Sequence, residues 1–264
     1  MKKIVFILAL SFLFAQPCLA QIFVEQGKVE HEISPGQNIA GNVTVHNTSD
    51  QPLTIRVYWE DFRYEAPYDG KKKFLPAGTT PYSLSGWATV SAQSFTLPGY
   101  GKKDVNYVIN PPAELKGGYY GVLFFEKAPE SVSSSHGINI VARVGSLFFL
   151  EPADRIKKAS ISSWSFESDA LQGKFKNEGD VILIPKGVFY VLDDSGVAVD
   201  RGEIEKMYIP PGEEADFSFS LSPELGSGHY NAVVTFDLNE GDVVVKELTF
   251  VKSGGSLNIQ DIKD

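Results

Sequence analysis

The sequence predicts an all-β protein, two tandem immunoglobulin-like β-sandwich domains behind a cleaved signal peptide. Three observations carry this. One pattern occurs twice: residues 104–111 and 216–223 each set three apolar residues at every second position between an Asp and a Pro. Each copy follows a Pro-Gly pair, Pro98-Gly99 and Pro211-Gly212. A period of two is the side-chain alternation of a strand. Each copy is also followed by a glycine-containing turn and an aromatic-rich apolar run, 119–125 and 230–236, while 45–50 upstream matches 175–180. Finally, short alternating runs recur between turn signals with no helical periodicity, as in sandwiches.

In chain order, residues 1–20 read as a Sec-type bacterial signal peptide. Lys2 and Lys3 are its charged start, residues 4–14 its apolar stretch, and Cys18-Leu19-Ala20 a small-residue cleavage site before Gln21. An uncleaved anchor is the alternative, but the stretch is short for a bilayer. Pro17 directly before Cys18 fits a lipoprotein site poorly. No later segment is apolar enough to span a membrane. Cleavage leaves 244 residues (264 less 20), enough for two cores. The only cysteine leaves with the leader, so the mature chain has no disulfide in a periplasmic or secreted setting and must be held by packing. Losing Lys2 and Lys3 moves the formal charge from −9 to −11, which disfavours nucleic acid.

The first domain is expected over 21–150. Its strand signals are 28–33, then Val43 and Val45, then Leu53, Ile55, Val57 and Trp59 alternating with Thr54, Arg56, Tyr58 and Glu60. Residues 61–86 break the rhythm with Pro67, Gly70, Pro76, Gly78 and Pro81, and read as a surface excursion with at most a short edge hairpin. Strands resume at 87–90, 95–97 and 105–109. The runs 119–125 and 137–150, joined by a serine-rich loop, are apolar on both faces. Either the second domain covers the extra face, or a partner does. The second domain, 151–252, offers seven short strands starting near Ala159, Leu171, Gly187, Val197, Phe217, Tyr230 and Val243, with Asn/Asp-Gly corners between them. The tail 253–264, rich in Gly and Ser and then polar, is expected to be disordered.

A search for chemistry returns no site, and no cofactor or metal is expected. There is no G-x-S-x-G elbow. His31, His46, His136 and His229 lie on separate strands or loops without metal-ligand spacing. Residues 237–242 resemble the start of a calcium loop, but loop position twelve is Leu248, so a hairpin turn explains them better. Asp193-Asp194 and Glu213-Glu214 are adjacent pairs, which point apart on a strand. Short lysine runs at 71–73, 102–103 and 157–158 read as solvated edges. The expectation is a non-enzymatic protein.

The layout and the stretch Ile138-Asn-Ile-Val-Ala-Arg-Val-Gly-Ser-Leu-Phe-Phe-Leu-Glu-Pro152 resemble the periplasmic pilus-chaperone (PapD-like) family. That resemblance implies a donor strand that lends alternate apolar side chains to an incomplete exported subunit while backbone hydrogen bonds fix the register. The matching positions are Ile138, Ile140, Ala142 and Val144. The family anchors its client's terminal carboxylate with an Arg on the first strand and a Lys on the donor strand. Lys28 stands near the first place, and Leu147 occupies the second. A second resemblance, carried by 33–37, 43–50 and 118–126, is to the peptidoglycan-binding domain of WxL-interacting surface proteins.

Three functions follow as expectations. The first is a chaperone-like periplasmic factor for pilus or surface-protein assembly, with a pilin-like or other surface subunit as partner. The alternative is a cell-wall (peptidoglycan) or glycan-binding module using Tyr64, Tyr68, Tyr82 and Trp87, since tyrosines stack on sugars and donate hydrogen bonds. The third is a plain structural spacer.

Overall fold

The alternation becomes an all-β structure. The computed structural model describes residues 21–129 and 141–263, and among them there is no helix. The strands are β1 (Ile22–Val24), β2 (Lys28–Ile33), β3 (Ile39–Asn47), β4 (Leu53–Tyr64), β5 (Lys72–Pro76), β6 (Ala88–Val90), β7 (Ser94–Leu97), β8 (Lys102–Ile109), β9 (Tyr119–Lys127) and β10 (Arg143–Pro152) in the first unit. The second unit holds β11 (Ala159–Glu167), β12 (Ala170–Asn177), β13 (Lys186–Asp193), β14 (Ala198–Ile204), β15 (Glu214–Ser220), β16 (Gly228–Asp237), β17 (Val243–Ser253) and β18 (Ser256–Lys263).

Each unit is two facing sheets. The first packs β1-β3-β8-β6 on β2-β10-β9-β4-β5, with β7 also pairing β4. The second packs β11-β12-β15 on β14-β13-β16-β17-β18. Inward residues of the first unit, among them Val43, Ile55, Val105, Phe125, Phe148 and Leu150, form one core. The doubled sequence pattern is β8 and β15. In both, every second residue is buried: Val105, Tyr107 and Ile109, then Ala215, Phe217 and Phe219.

The chain changes sheets between β1 and β2. Ile22–Val24 pairs antiparallel with β3, whereas Lys28–Ile33 runs parallel to β10. Gln26 and Gly27 make the crossing. Gln26 Oε1 accepts from Thr44 N at 2.9 Å, and Gly27 O accepts from Leu147 N at 3.0 Å.

Two expectations need correction. The tail pairs with β17 as β18, from Ser253↔Ser256 to Glu247↔Lys263. Leu257 and Ile259 alternate with polar residues and pack against the second core, which is enough apolar surface to hold a strand beside a long neighbour. The run expected as a strand over 137–150 begins, among the described residues, at Arg143. Ile138 and Ile140 lie outside the described residues, as does the leader.

The doubly apolar strands are explained at the junction between the units. Tyr119, Leu123 and Phe125 face the first core, while Tyr120, Val122 and Phe124 belong to a cluster continuous with the second core. The Tyr120 hydroxyl accepts from Ile182 N at 2.8 Å, and Tyr64 stacks on Tyr208 with centroids 4.8 Å apart. Of the two alternatives, coverage by the second unit holds there.

Candidate functional site

The site is built on β10. Its residues pair with β9 along their whole run, Arg143↔Glu126 to Leu150↔Tyr119. On the other side β2 covers only Leu147 to Pro152. Among the described residues no strand pairs with Arg143–Ser146 on that side. Leu147 N points toward β2, so by the alternation of a strand the N–H and C=O groups of Gly145 and Arg143 point out of the same edge. Unpaired backbone groups along an edge are a template for another strand.

The side chains at this edge alternate sharply. Val144, Ser146, Phe148 and Leu150 face the first core. Ser146 is fully buried and its hydroxyl donates to Gln26 O at 2.5 Å. Val144 is half-buried and packs at the margin of that core. Ala142 is exposed and precedes the strand, tied to it by Lys127 N donating to Ala142 O at 3.1 Å. On the opposite face, the Arg143 guanidinium lies 4.0 Å from the Phe124 ring centroid and 5.4 Å from that of Phe74. It also donates to Glu60 Oε1 at 3.0 Å and to the Tyr58 hydroxyl at 3.3 Å, while Tyr58 donates to Glu126 at 2.6 Å. One side chain therefore ties four strands together where β10 begins. Gly145 is required beneath it, because a Cβ there would stand 2.6 Å from Val122 Cγ2 and 2.9 Å from Phe124 Cε1.

Lys28 opens β2 directly beside Leu147 in register. Its ammonium pairs with Glu30 at 2.6 Å and stands 4.6 Å from the Phe149 ring centroid. It lines a cavity of about 310 Å³ between the units, together with Lys157, Lys186 and Lys206 from the second one. Their convergence is tertiary: they are 20 to 178 positions apart in the sequence, and no local pattern announces it. Deeper in the same junction Glu151 is held above the usual carboxylate range, first by burial and against the pull of Lys157 and Arg155. Arg155 bridges Glu32, Glu151 and Glu240 at 3.2, 3.3 and 2.6 Å, joining β2, the end of β10 and the turn after β16.

The aromatic residues expected to form an open sugar platform do not form one. Tyr64 and Tyr68 are buried, 4% and 9% exposed, because the excursion folds back against the second unit. Tyr208 N donates to Tyr68 O at 2.8 Å, and the Tyr68 hydroxyl donates to Glu213 at 2.7 Å. Trp87 is elsewhere, packed on Tyr119 with centroids 4.4 Å apart at the edge of the first core. Tyr64, Tyr68 and Tyr82 share a cavity that Trp87 does not line. Among the described residues no group of His, Cys, Asp or Glu could hold a metal ion, and no helix is long and apolar enough to cross a membrane.

No protein-family model matches the chain, and no curated protein matches it. Solved structures do. The chain is similar to the class 5 fimbriae chaperone CfaA, at 15% identity over 85% of this chain and 97% of that one, with a TM-score of 0.52. It is similar also to a chain of the chaperone–tip adhesin complex of CFA/I fimbriae biogenesis, at 16% identity over 91% and 99%, with a TM-score of 0.51. At these identities the likeness is one of fold, and the resemblance to pilus chaperones is present in the fold.

Proposed function

We propose that this chain is a non-catalytic exported binding protein, a chaperone-like periplasmic factor for pilus or surface-protein assembly, that lends the open edge of β10 to an exported subunit. The observation that carries the reading is the four-residue stretch Arg143–Ser146, paired on one side only among the described residues. A client strand laid along it takes hydrogen bonds from the N–H and C=O groups of Arg143 and Gly145, which fixes register. Val144 and Ala142, with Ile138 and Ile140 of the same parity, then supply apolar side chains to a client core lacking a strand of its own. The fold shared with a fimbrial chaperone supports this reading. So does the signal-peptide character of residues 1–20.

The carboxylate anchor is arranged in this chain's own way. With Leu147 beside Lys28, the second cation has to come from across the cleft, where Lys186 and Lys206 line the same cavity. A client's terminal carboxylate there is held by point charges from both units.

A photo-crosslinking residue at Ala142, in cells that export the chain, tests the edge. The expected product is an adduct with a surface subunit, identified by mass spectrometry and abolished by Val144→Asp in a chain that still folds. Adducts that Val144→Asp leaves unchanged, or no adduct with an exported protein, would overturn the reading. The glycan alternative uses other residues and does not compete for this edge.

A further inference from the structure

The excursion between β4 and β6 is a wall held at both ends. At one end Asp61, fully buried, accepts from Thr80 N at 2.8 Å, Ser83 Oγ at 2.6 Å and Ser85 Oγ at 3.3 Å. That fixes the loop carrying Pro81 and Tyr82. At the other end Tyr68 is strapped to Tyr208 and Glu213 of the second unit. Between the straps and the second unit lies a cavity of about 860 Å³. It is on the β4–β5 side of the sheet, away from the β2 side that holds the lysines.

Its polar groups are mixed in kind and incompletely used. Tyr64 lines it at 4% exposure, and its hydroxyl makes no hydrogen bond to any described residue. The Tyr82 hydroxyl likewise makes none, and Arg63 makes no ion pair among the described residues. Facing these donors are two acceptors. Glu213 takes one bond from Tyr68, and Glu65 stands 3.6 Å from Lys71. Pro211 and the ring of Tyr82 supply apolar surface. Arg63 against Glu65 and Glu213 leaves the lining near neutrality, slightly acidic.

A ligand for such a cavity must both donate and accept. A polyproline peptide presents carbonyls and no N–H groups, which would satisfy the tyrosines and Arg63 but offer nothing to the two carboxylates. A hydroxyl does both, and the C–H face of a sugar ring suits an aromatic or proline surface. An anionic sugar would meet two carboxylates. We infer that this cavity is a binding site for a neutral oligosaccharide. Arg63 and the two free tyrosine hydroxyls donate to its oxygens, Glu213 and Glu65 accept hydrogen bonds from its hydroxyls, and Tyr82 stacks on a ring. The site is independent of the β10 edge.

The test is titration calorimetry of the leaderless chain with chitotriose, maltotriose, cellotriose and a decaproline peptide. At least one trisaccharide binds in the range usual for small neutral ligands, with Kd below about 10 mM. Arg63→Ala and Tyr82→Ala each weaken it by about tenfold, and Tyr64→Phe, which removes only a hydroxyl, by about threefold to tenfold. Val144→Asp leaves it unchanged. Three results would overturn the inference: no trisaccharide binding at about 10 mM, binding indifferent to all three cavity variants in folded protein, or binding of the decaproline peptide alone.

Discussion

β10 is the last strand of the first unit and β17 the last but one of the second, and they differ in what lies beside them. Both pair antiparallel with an apolar neighbour, β9 and β16. β17 is then covered by β18 from Glu247 to Ser253, through a turn at Gly254, whose φ of 58° suits a residue without a Cβ. β10 is covered by β2 only from Leu147 onward. A long exposed edge invites unwanted pairing, so proteins cover or blunt such edges. Here β18 (Ser256–Lys263) covers β17 from Glu247 to Ser253 and β2 covers β10 from Leu147 to Pro152, so each strand's opening residues, Val243–Val245 and Arg143–Ser146, have no strand on that side among the described residues. At each uncovered start an inward valine, Val144 or Val244, lies at the margin of its core. What differs is the anchoring: where β10 begins, the Arg143 guanidinium lies 4.0 Å from the Phe124 ring centroid.

The largest effect should come from making β17 resemble β10. A chain stopped after Gly255 loses Leu257 and Ile259 from the margin of the second core. At about 1–2 kcal/mol for each partly buried side chain, the loss is about 3 kcal/mol. The bared edge should also make the truncated chain self-associate in sedimentation velocity. If its urea midpoint is unchanged and it stays monomeric, β18 covers nothing of consequence and the contrast between the two strands fails.

A second prediction concerns what the units share. Asn47 and Asn177 end equivalent strands and make the same device. Asn47 Nδ2 donates to Gln51 O and Pro98 O at 2.7 and 3.0 Å, while its Oδ1 accepts from Ser49 N. Asn177 Nδ2 donates to Val181 O and Ile209 O, both at 2.8 Å, while its Oδ1 accepts from Gly179 N. Either residue cut back to Ala orphans buried carbonyls, at about 2 kcal/mol. The two losses should agree to within about 1 kcal/mol in urea denaturation. A neutral Asn47→Ala beside a damaging Asn177→Ala would show that the repeat is one of sequence and not of energetics.

That repeat was legible because strand alternation and turn chemistry are local. The strands β2 to β4, β8 and β11 to β17 sit where alternating runs place them, and β9 sits on its doubly apolar run. What was hidden is non-local. β1 is three residues long and pairs with a strand about twenty positions away, too short for a period to register. β18 carried a signal, Leu257 and Ile259 two apart, masked by Gly254-Gly255 and polar neighbours. Tyr64 and Tyr68 look like loop tyrosines until the second unit buries them. The lysines around the small cleft come from four separate stretches. Lys28 was found only through a family resemblance, and Lys186 and Lys206 carried no sequence signal.

The contact between the units can be loosened without mutation, which asks whether the open edge depends on the second unit. Burial first, then the bond to Glu213, pushes the Tyr68 hydroxyl up to about 12. Burial also raises Tyr64 and Tyr120. An unfolded tyrosine titrates near 10. With the folded value above the unfolded one, the stabilisation from the neutral form is complete below about pH 10 and disappears as pH rises through about 12. Near pH 11, Tyr68 alone should cost about 1 kcal/mol. Melting temperatures should fall from about pH 10 upward, less steeply in Tyr68→Phe. A flat profile in this range would mean that these hydroxyls are not sealed in the junction.

The smallest expected effect tests the edge itself. Among the described residues nothing at β17 corresponds to Arg143, whose guanidinium lies 4.0 Å from the Phe124 ring centroid while donating to Glu60 and Tyr58. Its role follows from its place: it fixes the point at which β10 enters the sheet, and so which backbone groups face outward. Arg143→Lys keeps the charge and can keep the pair with Glu60, but an ammonium cannot stack and fork at once. Exposed pairs of this kind are worth about 0.5–1 kcal/mol, so overall stability should hardly move. The amide protons of Val144 and Ser146, which face β9, should exchange about threefold faster, because opening there is local, while those of Phe148 and Leu150 stay as slow as before. Uniform acceleration along β10 would make Arg143 one more contributor to global stability. No acceleration at all would mean that the edge holds its register without it, leaving Gly145 and the Ser146–Gln26 bond as the groups that set where the strand begins.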